Sequence, residues 1–322
     1  MAGKNEPECD PIDTLDFLQL LVPTLKTSMH LFLTFLITVT LYCLSSFAGN
    51  LASAQTTRFP TLWKSGDAVL QRKLEDVVRE QGLWKQVKNG HLALAVVEMS
   101  DLKHPRLAEL NGNRMYYAAS LPKIAILLGA FVEIEAGKLE ESDELYKHMT
   151  DMIRYSSNTS ASYVLSLVGG ERILEILQDP DFALYDPRHN GGLWIGKTYG
   201  KSSAYHRDPL YNLSHGATAV QAARFYYLLE TNQLLSPQYS KKMKEILSKP
   251  GISHKFVKGL QKVPEIEIYR KSGTWKNCHA DSAIIQCKEY KYIIVGLSDS
   301  IHGGKWLEKL GLPIHKMITG EG

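Results

Sequence analysis

The chain contains no C-x-x-C pair, no H-E-x-x-H and only four cysteines, so neither a zinc site nor a dense disulfide framework is written into it. It has little excess charge: 37 basic residues against 34 acidic give a formal net of +3, and the basic residues are dispersed. That leaves no electrostatic footprint for binding nucleic acid. There is no internal repeat and no low-complexity tract, which removes solenoids and biased-composition segments from consideration. What remains is an ordinary globular composition, 44% hydrophobic and 22% charged, in 322 residues. That length can bury a sizeable core as one large domain or two.

Only one stretch is long and apolar. Leu31–Phe47 carries no charge and is followed by Ala52-Ser53-Ala54, an A-x-A cleavage pattern that makes Gln55 the first mature residue. Residues 1–54 are therefore read as a signal peptide or an N-terminal membrane segment. About seventeen apolar residues lie at the low end for a span, so an uncleaved anchor stays open beside cleavage. Lys26 supplies one positive charge before the run, whereas Glu6, Glu8, Asp10, Asp13 and Asp16 outnumber Lys4 in a poor leader. Met29 is an alternative start that loses Lys26. Tyr42 directly before Cys43 argues against a lipoprotein signal. The expected location is periplasmic or secreted, or held at the membrane through Leu31–Phe47. Taking the five acids and two lysines of residues 1–54 from the totals leaves 35 basic and 29 acidic residues, a net of +6. This is a mild attraction toward anions and no more. Of the cysteines only Cys278 and Cys287 remain, and on a hairpin they sit too far apart to bond, so both are expected to be free or buried thiols.

Apolar residues at helical spacing from Gly66 to Lys88 predict an amphipathic helix, and Leu92–Met99 reads as a buried strand. Arg106–Leu110 looks like its hairpin partner, closing on Asn111-Gly112-Asn113. A largely helical stretch runs from Ser120 to about Ser248, interrupted by an irregular segment, Asp186–Gly216. A loop of that length in a compact domain is usually functional. Thr218-Ala219-Val220-Gln221 forms a capping box before the helix Ala222–Leu229. Strands return at Glu265–Lys271, Asp281–Gln286 and Lys291–Leu297, and Trp306–Ile318 closes as a helix. Strands at both ends and helices between imply an α/β (α+β) fold, an antiparallel sheet flanked by helices with an inserted all-helical subdomain. The α/β part covers about 55–119 and 251–322 of the domain 55–322, and the helical subdomain about 120–250.

Three short strings carry chemistry: Ser120-Leu121-Pro122-Lys123, Ser156-Ser157-Asn158 and Lys271-Ser272-Gly273-Thr274. An S-x-x-K alone arises roughly once by chance in a chain of this length. Its setting strengthens it, because Pro122 suits a first helical turn and Ile124–Val132 is apolar on nearly every face. Ser120 is then expected at the N-terminus of a buried helix, where negative charge is favoured, with Lys123 on the same face. A serine hydroxyl needs a base. Lys123 can serve if desolvation and a neighbouring cation, Lys271, lower its pKa. Ser156 is placed to relay a proton and Asn158 to orient a substrate amide; the plain alternative is a cap for a helix over Ser160–Leu167. On the strand Ile268–Thr274, Gly273 lets a ligand approach closely and Lys271 binds a carboxylate. The backbone N–H groups of Ser120 and Thr274 are the candidate oxyanion hole. His279 and Asp281 are rejected as triad partners, since Lys123 supplies the base and the pair is read as lying in a turn.

In order and context the three strings resemble the serine β-lactamase and penicillin-binding protein superfamily, and among its members the class A β-lactamases. The resemblance runs from about Gly66 to Ile318 and includes Ser156–Ala161 leading to Gly169-Gly170, and Leu234-Leu235-Ser236-Pro237. It implies an active site between the α/β part and the helical subdomain, an acyl-enzyme on Ser120, and no metal or organic cofactor. It also implies catalytic Ser120, Lys123, Ser156 and Asp208, and substrate-binding Asn158, Lys271, Ser272, Gly273 and Thr274. Two departures stand out. The interval from Ser120 to Ser156 is short for class A. No glutamate occurs between Glu175 and Glu230, so the deacylating glutamate is missing and Asp208, in Asp208-Pro209-Leu210-Tyr211-Asn212, is the nearest substitute. Asp is one methylene shorter, and Asp-Pro is also a plain turn signal. His206 and Arg207 beside it are expected at the surface. The implied substrate is a small-molecule β-lactam or a peptidoglycan-derived peptide. A β-lactamase, a D-alanyl-D-alanine carboxypeptidase, an esterase and a non-catalytic binding module differ in acyl-enzyme lifetime. A monomer is the default.

Overall fold

The computed structural model describes residues 59–321. Leu31–Phe47 and the Ala52-Ser53-Ala54 pattern lie outside the described residues. Helix α1 (Ala68–Glu80) is capped by Asp67, whose carboxylate accepts from Leu70 N at 2.7 Å, and it buries Leu70, Leu74 and Val78 along one face. The single helix expected over 66–88 is broken, because Gly82 takes a φ of +69° between α1 and the short α2 (Trp84–Lys88).

Strands β1 (Leu92–Glu98) and β2 (Arg106–Leu110) pair antiparallel, with Leu94 opposite Leu110 and Glu98 opposite Arg106. Their connection is thus residues 99–105, and Asn111-Gly112-Asn113 follows the hairpin instead of closing it. The Asn111 amide donates to Val87 O and Leu92 O, fastening that turn to the other end of β1 before β3 (Tyr116–Tyr117). Four helices come next: α3 (Lys123–Glu135), α4 (Asp143–Arg154), α5 (Asn158–Val168) and α6 (Gly170–Gln178). The irregular segment is not structureless. It holds the two-residue strands β4 (Tyr185–Asp186), β5 (Gly191–Gly192) and β6 (Trp194–Ile195), then β7 (His215–Ala217).

Helix α7 (Ala219–Glu230) begins at Thr218, whose hydroxyl accepts from Gln221 N at 3.2 Å. The capping box is half made, since the Gln221 amide turns away to donate to Ala183 O. Helices α8 (Pro237–Leu247) and α9 (Phe256–Gly259) precede three long strands, β8 (Ile266–Trp275), β9 (Cys278–Cys287) and β10 (Tyr290–Ser298). Helix α10 (Gly303–Thr319) ends the fold. Among the described residues no helix is long and apolar enough to cross a membrane.

The main sheet has the order β2-β1-β10-β9-β8 and is antiparallel throughout, so strands from both ends of the described chain share it. β1 is buried on both faces, which explains its unbroken apolar run in place of strict alternation. Leu94 and Val96 face a core with Leu74, Val78, Leu307 and Leu310, while Ala95 and Val97 face a second core with Phe225 and Phe131. This is the α+β arrangement of an antiparallel sheet flanked by helices. Helix α7 falls inside the stretch 120–250 yet packs on the sheet, its Tyr226 hydroxyl donating to Ser282 O at 3.2 Å. Cys278 and Cys287 stand at opposite ends of β9 as free thiols.

Candidate active site

The site is built where three segments meet. β3 ends beside β7, and Ala118 N donates to His215 O at 3.0 Å. Ala119 then takes a φ of +52°, which turns the chain, and tight bonds from Leu121 N to Ala118 O and from Lys123 N to Ser120 O lead into α3. The helix proper starts at Lys123, so Ser120 stands on the approach turn, with Pro122 as the N-cap residue. Ser120 is half-buried, and among the described residues its hydroxyl has no hydrogen-bond partner.

Lys123 is fully buried because α3 is apolar around almost its whole circumference. Its ammonium donates to Ser156 O at 2.6 Å and to Asn158 Oδ1 at 2.8 Å, with longer contacts to Ser157 O and Ser156 Oγ. The Tyr199 ring lies 4.4 Å from Nζ. Every one of these partners is neutral. Burial lowers the Lys123 pKa to about 7. Desolvation is the cause, and the cation expected to do this, Lys271, is itself the group that feels its neighbours.

The second segment is the turn between α4 and α5. Ser156 adopts a φ of +59°, a conformation side-chain-bearing residues avoid unless the surroundings impose it. Ser157 caps α5 by accepting from Ser160 N at 3.1 Å, so Asn158 is the first helical residue, two positions earlier than the sequence suggested. Ser156 Oγ accepts from Lys271 Nζ at 3.0 Å and from Lys123 Nζ at 3.4 Å. Two lysines 148 positions apart in the chain thus converge on one hydroxyl.

The third segment is β8. Lys271 is 1% exposed, and its pKa is drawn well below the usual lysine value, first by burial and then by the positive charges of Lys123, Arg270 and Lys255. Ser272 Oγ contacts His254 Nε2 at 3.1 Å. A Cβ on Gly273 would lie 2.7 Å from Ser120 N and 2.8 Å from Leu121 N, so strand and approach turn touch backbone to backbone. Thr274 is exposed at the rim. The structure therefore brings Ser120, Lys123, Ser156, Asn158 and Lys271–Thr274 to one place.

Among the described residues Asp208 makes no hydrogen bond to Ser120, Lys123, Ser156 or Lys271. Its buried carboxylate accepts from the Tyr185 hydroxyl, from Tyr211 N at 2.6 Å and from Leu210 N at 3.4 Å, all within or against its own turn. His206 and Arg207 are exposed. His279 and Asp281 lie on β9 and not in a turn. Asp281 is paired through both oxygens with Arg270, at 2.7 and 3.0 Å, and so has no contact to spare for His279.

Sequence reading missed four groups. Lys255 is 2% exposed and uses all three ammonium protons, on Gly273 O, Thr274 Oγ1 and Ala280 O; burial lowers it to about 8. His254 is lowered to about 4 by burial. The Arg270–Asp281 pair had a signal, since an arginine beside Lys271 on a buried strand demands a carboxylate. Tyr199 had none. The one buried carboxylate beside them, Asp281, is paired with Arg270, so the buried ammonium groups of Lys123, Lys255 and Lys271 have only neutral hydrogen-bond partners. Among the described residues no cluster of His, Cys, Asp or Glu could hold a metal ion.

A buried lysine pair shares a serine hydroxyl beside a half-buried serine on a helix approach, the groups that serine acyl transfer calls for. The profile of the Beta-lactamase enzyme family matches residues 144–316, more than half of the chain, and the protein belongs to that family. It is a serine hydrolase of β-lactamase type. Among curated proteins no sequence matches the chain. Its fold is similar to that of a β-lactamase from Sphaerobacter thermophilus DSM 20745 (14% identity, 76% of this chain and 97% of the other, TM-score 0.61). It is also similar to a representative of class A β-lactamase from Bacteroides cellulosilyticus DSM 14838 (12%, 78% and 99%, 0.59). A mutant of PBP-A solved as its acyl-enzyme complex with penicillin-G is alike as well (15%, 79% and 98%, 0.58).

Proposed function

We propose that this protein opens the amide of a β-lactam, or of a peptidoglycan-derived peptide, by acylation on Ser120 in the manner of a class A enzyme. The observation that carries this is the convergence of Lys123 and Lys271 on the Ser156 hydroxyl beside the Ser120 turn. Neutral Lys123 takes the Ser120 proton as Oγ bonds to the amide carbon, and the backbone N–H groups of Ser120 and Thr274 hold the oxyanion. The carbon–nitrogen bond then breaks, and the leaving nitrogen receives a proton through Ser156. Lys271 and Ser272 hold the substrate carboxylate and Asn158 orients the amide. The free Ser120 hydroxyl gains its base when substrate is bound, as general-base contacts often do.

Deacylation is the slow step in this reading. Lys123 has only neutral hydrogen-bond partners, and Asp208 is committed to its turn. This favours a penicillin-binding peptidase, acting on D-alanyl-D-alanine ends, over a fast resistance enzyme. We also place the enzyme outside the cytoplasm, where such substrates occur; a mature N-terminus at Gln55 is the expected result of protein sequencing. Labelling with a fluorescent penicillin tests the nucleophile. Ser120→Ala is expected to abolish the covalent signal, and a signal of wild-type intensity would remove Ser120 from its role.

A further inference from the structure

Among the described residues the 186–216 segment brings the Tyr199 ring against the lysine, and no carboxylate. Besides the ring 4.4 Å from Lys123 Nζ, the Tyr199 hydroxyl donates to Ala119 O at 3.3 Å, on the residue before Ser120. Its backbone carbonyl accepts from Ser162 Oγ of α5 at 3.3 Å. The His215 ring lies 4.5 Å from that of Tyr199 between centroids, and His215 is on β7, which pairs with β3, the strand that leads to Ser120. Tyr199 thus ties the loop, through its side chain, to Lys123 and to the residue before Ser120, and through its backbone to α5.

We propose that Tyr199 is a positioning residue that covers Lys123 and keeps water away from the lysine and from the acyl ester on Ser120. The kinetic part rests on the acyl-enzyme reading above; the shielding of Lys123 does not. Tyr199 cannot itself act as the missing base, since burial holds its phenol well above the ordinary value. The groups facing Lys123 are Ser156, Ser157 and Asn158 from the α4–α5 turn, Lys271 from β8, His215 from β7, and the ring. His215 is itself kept neutral, lowered to about 4 by burial. Among the described residues no carboxylate pairs with Lys123. In this proposal the ring adds to the burial that the apolar helix α3 already gives Lys123, and it covers the lysine on the side from which water would reach the ester.

Two measurements on the full chain test this. The first is the lifetime of the benzylpenicillin adduct by intact-protein mass spectrometry. The second is the titration of Lys123 by NMR of chains carrying ¹³C-lysine, with the signal assigned by its loss in Lys123→Arg. Tyr199→Ala is expected to shorten the adduct lifetime about tenfold or more and to raise the Lys123 midpoint by about one pH unit or more. Admitting water outweighs the lost ring–cation attraction. Tyr199→Phe keeps the ring and is expected to retain most of the lifetime; Tyr199→Leu, which keeps apolar bulk, serves if the alanine variant melts early. A lifetime and a midpoint both unmoved in Tyr199→Ala and Tyr199→Leu would overturn the proposal. If the wild type forms no adduct, the acyl-enzyme reading fails alone, and the Lys123 midpoint still decides for or against Tyr199.

Discussion

Gly273 offers the sharpest test of how the site is assembled. A methyl group there would meet Ser120 N at 2.7 Å and Leu121 N at 2.8 Å, with Ala118 O nearer still. Ordinary contacts of this kind begin at 3.4 Å, so the strand and the turn must separate by at least 0.7 Å, the difference between 3.4 and 2.7. The neighbours are backbone atoms, and no flexible side chain can swing aside to absorb the change. Misplacement on the order of 1 Å in a catalytic arrangement costs about a hundredfold in rate. Overpacking itself costs about 1–3 kcal/mol, which a stable fold survives. Gly273→Ala is therefore expected to melt cooperatively, somewhat below wild type, while its second-order rate of acylation by a fluorescent penicillin falls by about two orders of magnitude. A native melt with acylation within threefold of wild type would show that the β8 edge does not set the geometry at Ser120.

The pH profile follows from Lys123, whose neutral form is the base. Acylation is expected to level off above pH 7 and to fall about tenfold per unit as pH drops below it, the lysine having been lowered to about 7. A rate independent of pH from 5 to 8 in stopped-flow mixing would remove Lys123 as the base. Arg270→Met leaves Asp281 buried with only the backbone donors Phe256 N and Ser282 N, and is expected to cost about 3–5 kcal/mol in urea unfolding. Unchanged stability would mean that the pair is not the anchor of β8 and β9. Asp208→Asn disturbs a buried acceptor and is expected to cost about 1–3 kcal/mol while sparing both acylation and release. Release slowed tenfold would instead return Asp208 to the mechanism.

What was legible from sequence was what is local. S-x-x-K, S-x-N and K-S-G are short strings, and each sits on one turn or one strand, so their chemistry could be read residue by residue. The unbroken run Leu92–Val97 announced a strand covered on both faces, and Thr218 announced the start of α7. Two-residue strands such as β4 and β5 are too short to carry a period, so in sequence they do not differ from loop. The Asn111 turn misled because its amide bonds across to Val87 and Leu92, partners no local pattern names. The commitment of Asp208 was hidden for the same reason, since Tyr185 lies 23 positions away in the chain. Lys255 belongs to none of the three strings, and only the packed strands give its ammonium three acceptors. Tyr199 reaches Lys123 from a segment whose path the sequence does not encode in any repeat or spacing.

The central claim is a slow acyl-enzyme on Ser120, and intact-protein mass spectrometry of the full chain, followed in time after mixing with excess benzylpenicillin, tests it most directly. The account predicts a single adduct of one penicillin mass that persists long after free antibiotic is removed and is absent in Ser120→Ala. An adduct that clears within seconds while penicillin is consumed would contradict the slow step, and no adduct at all would contradict the acylation.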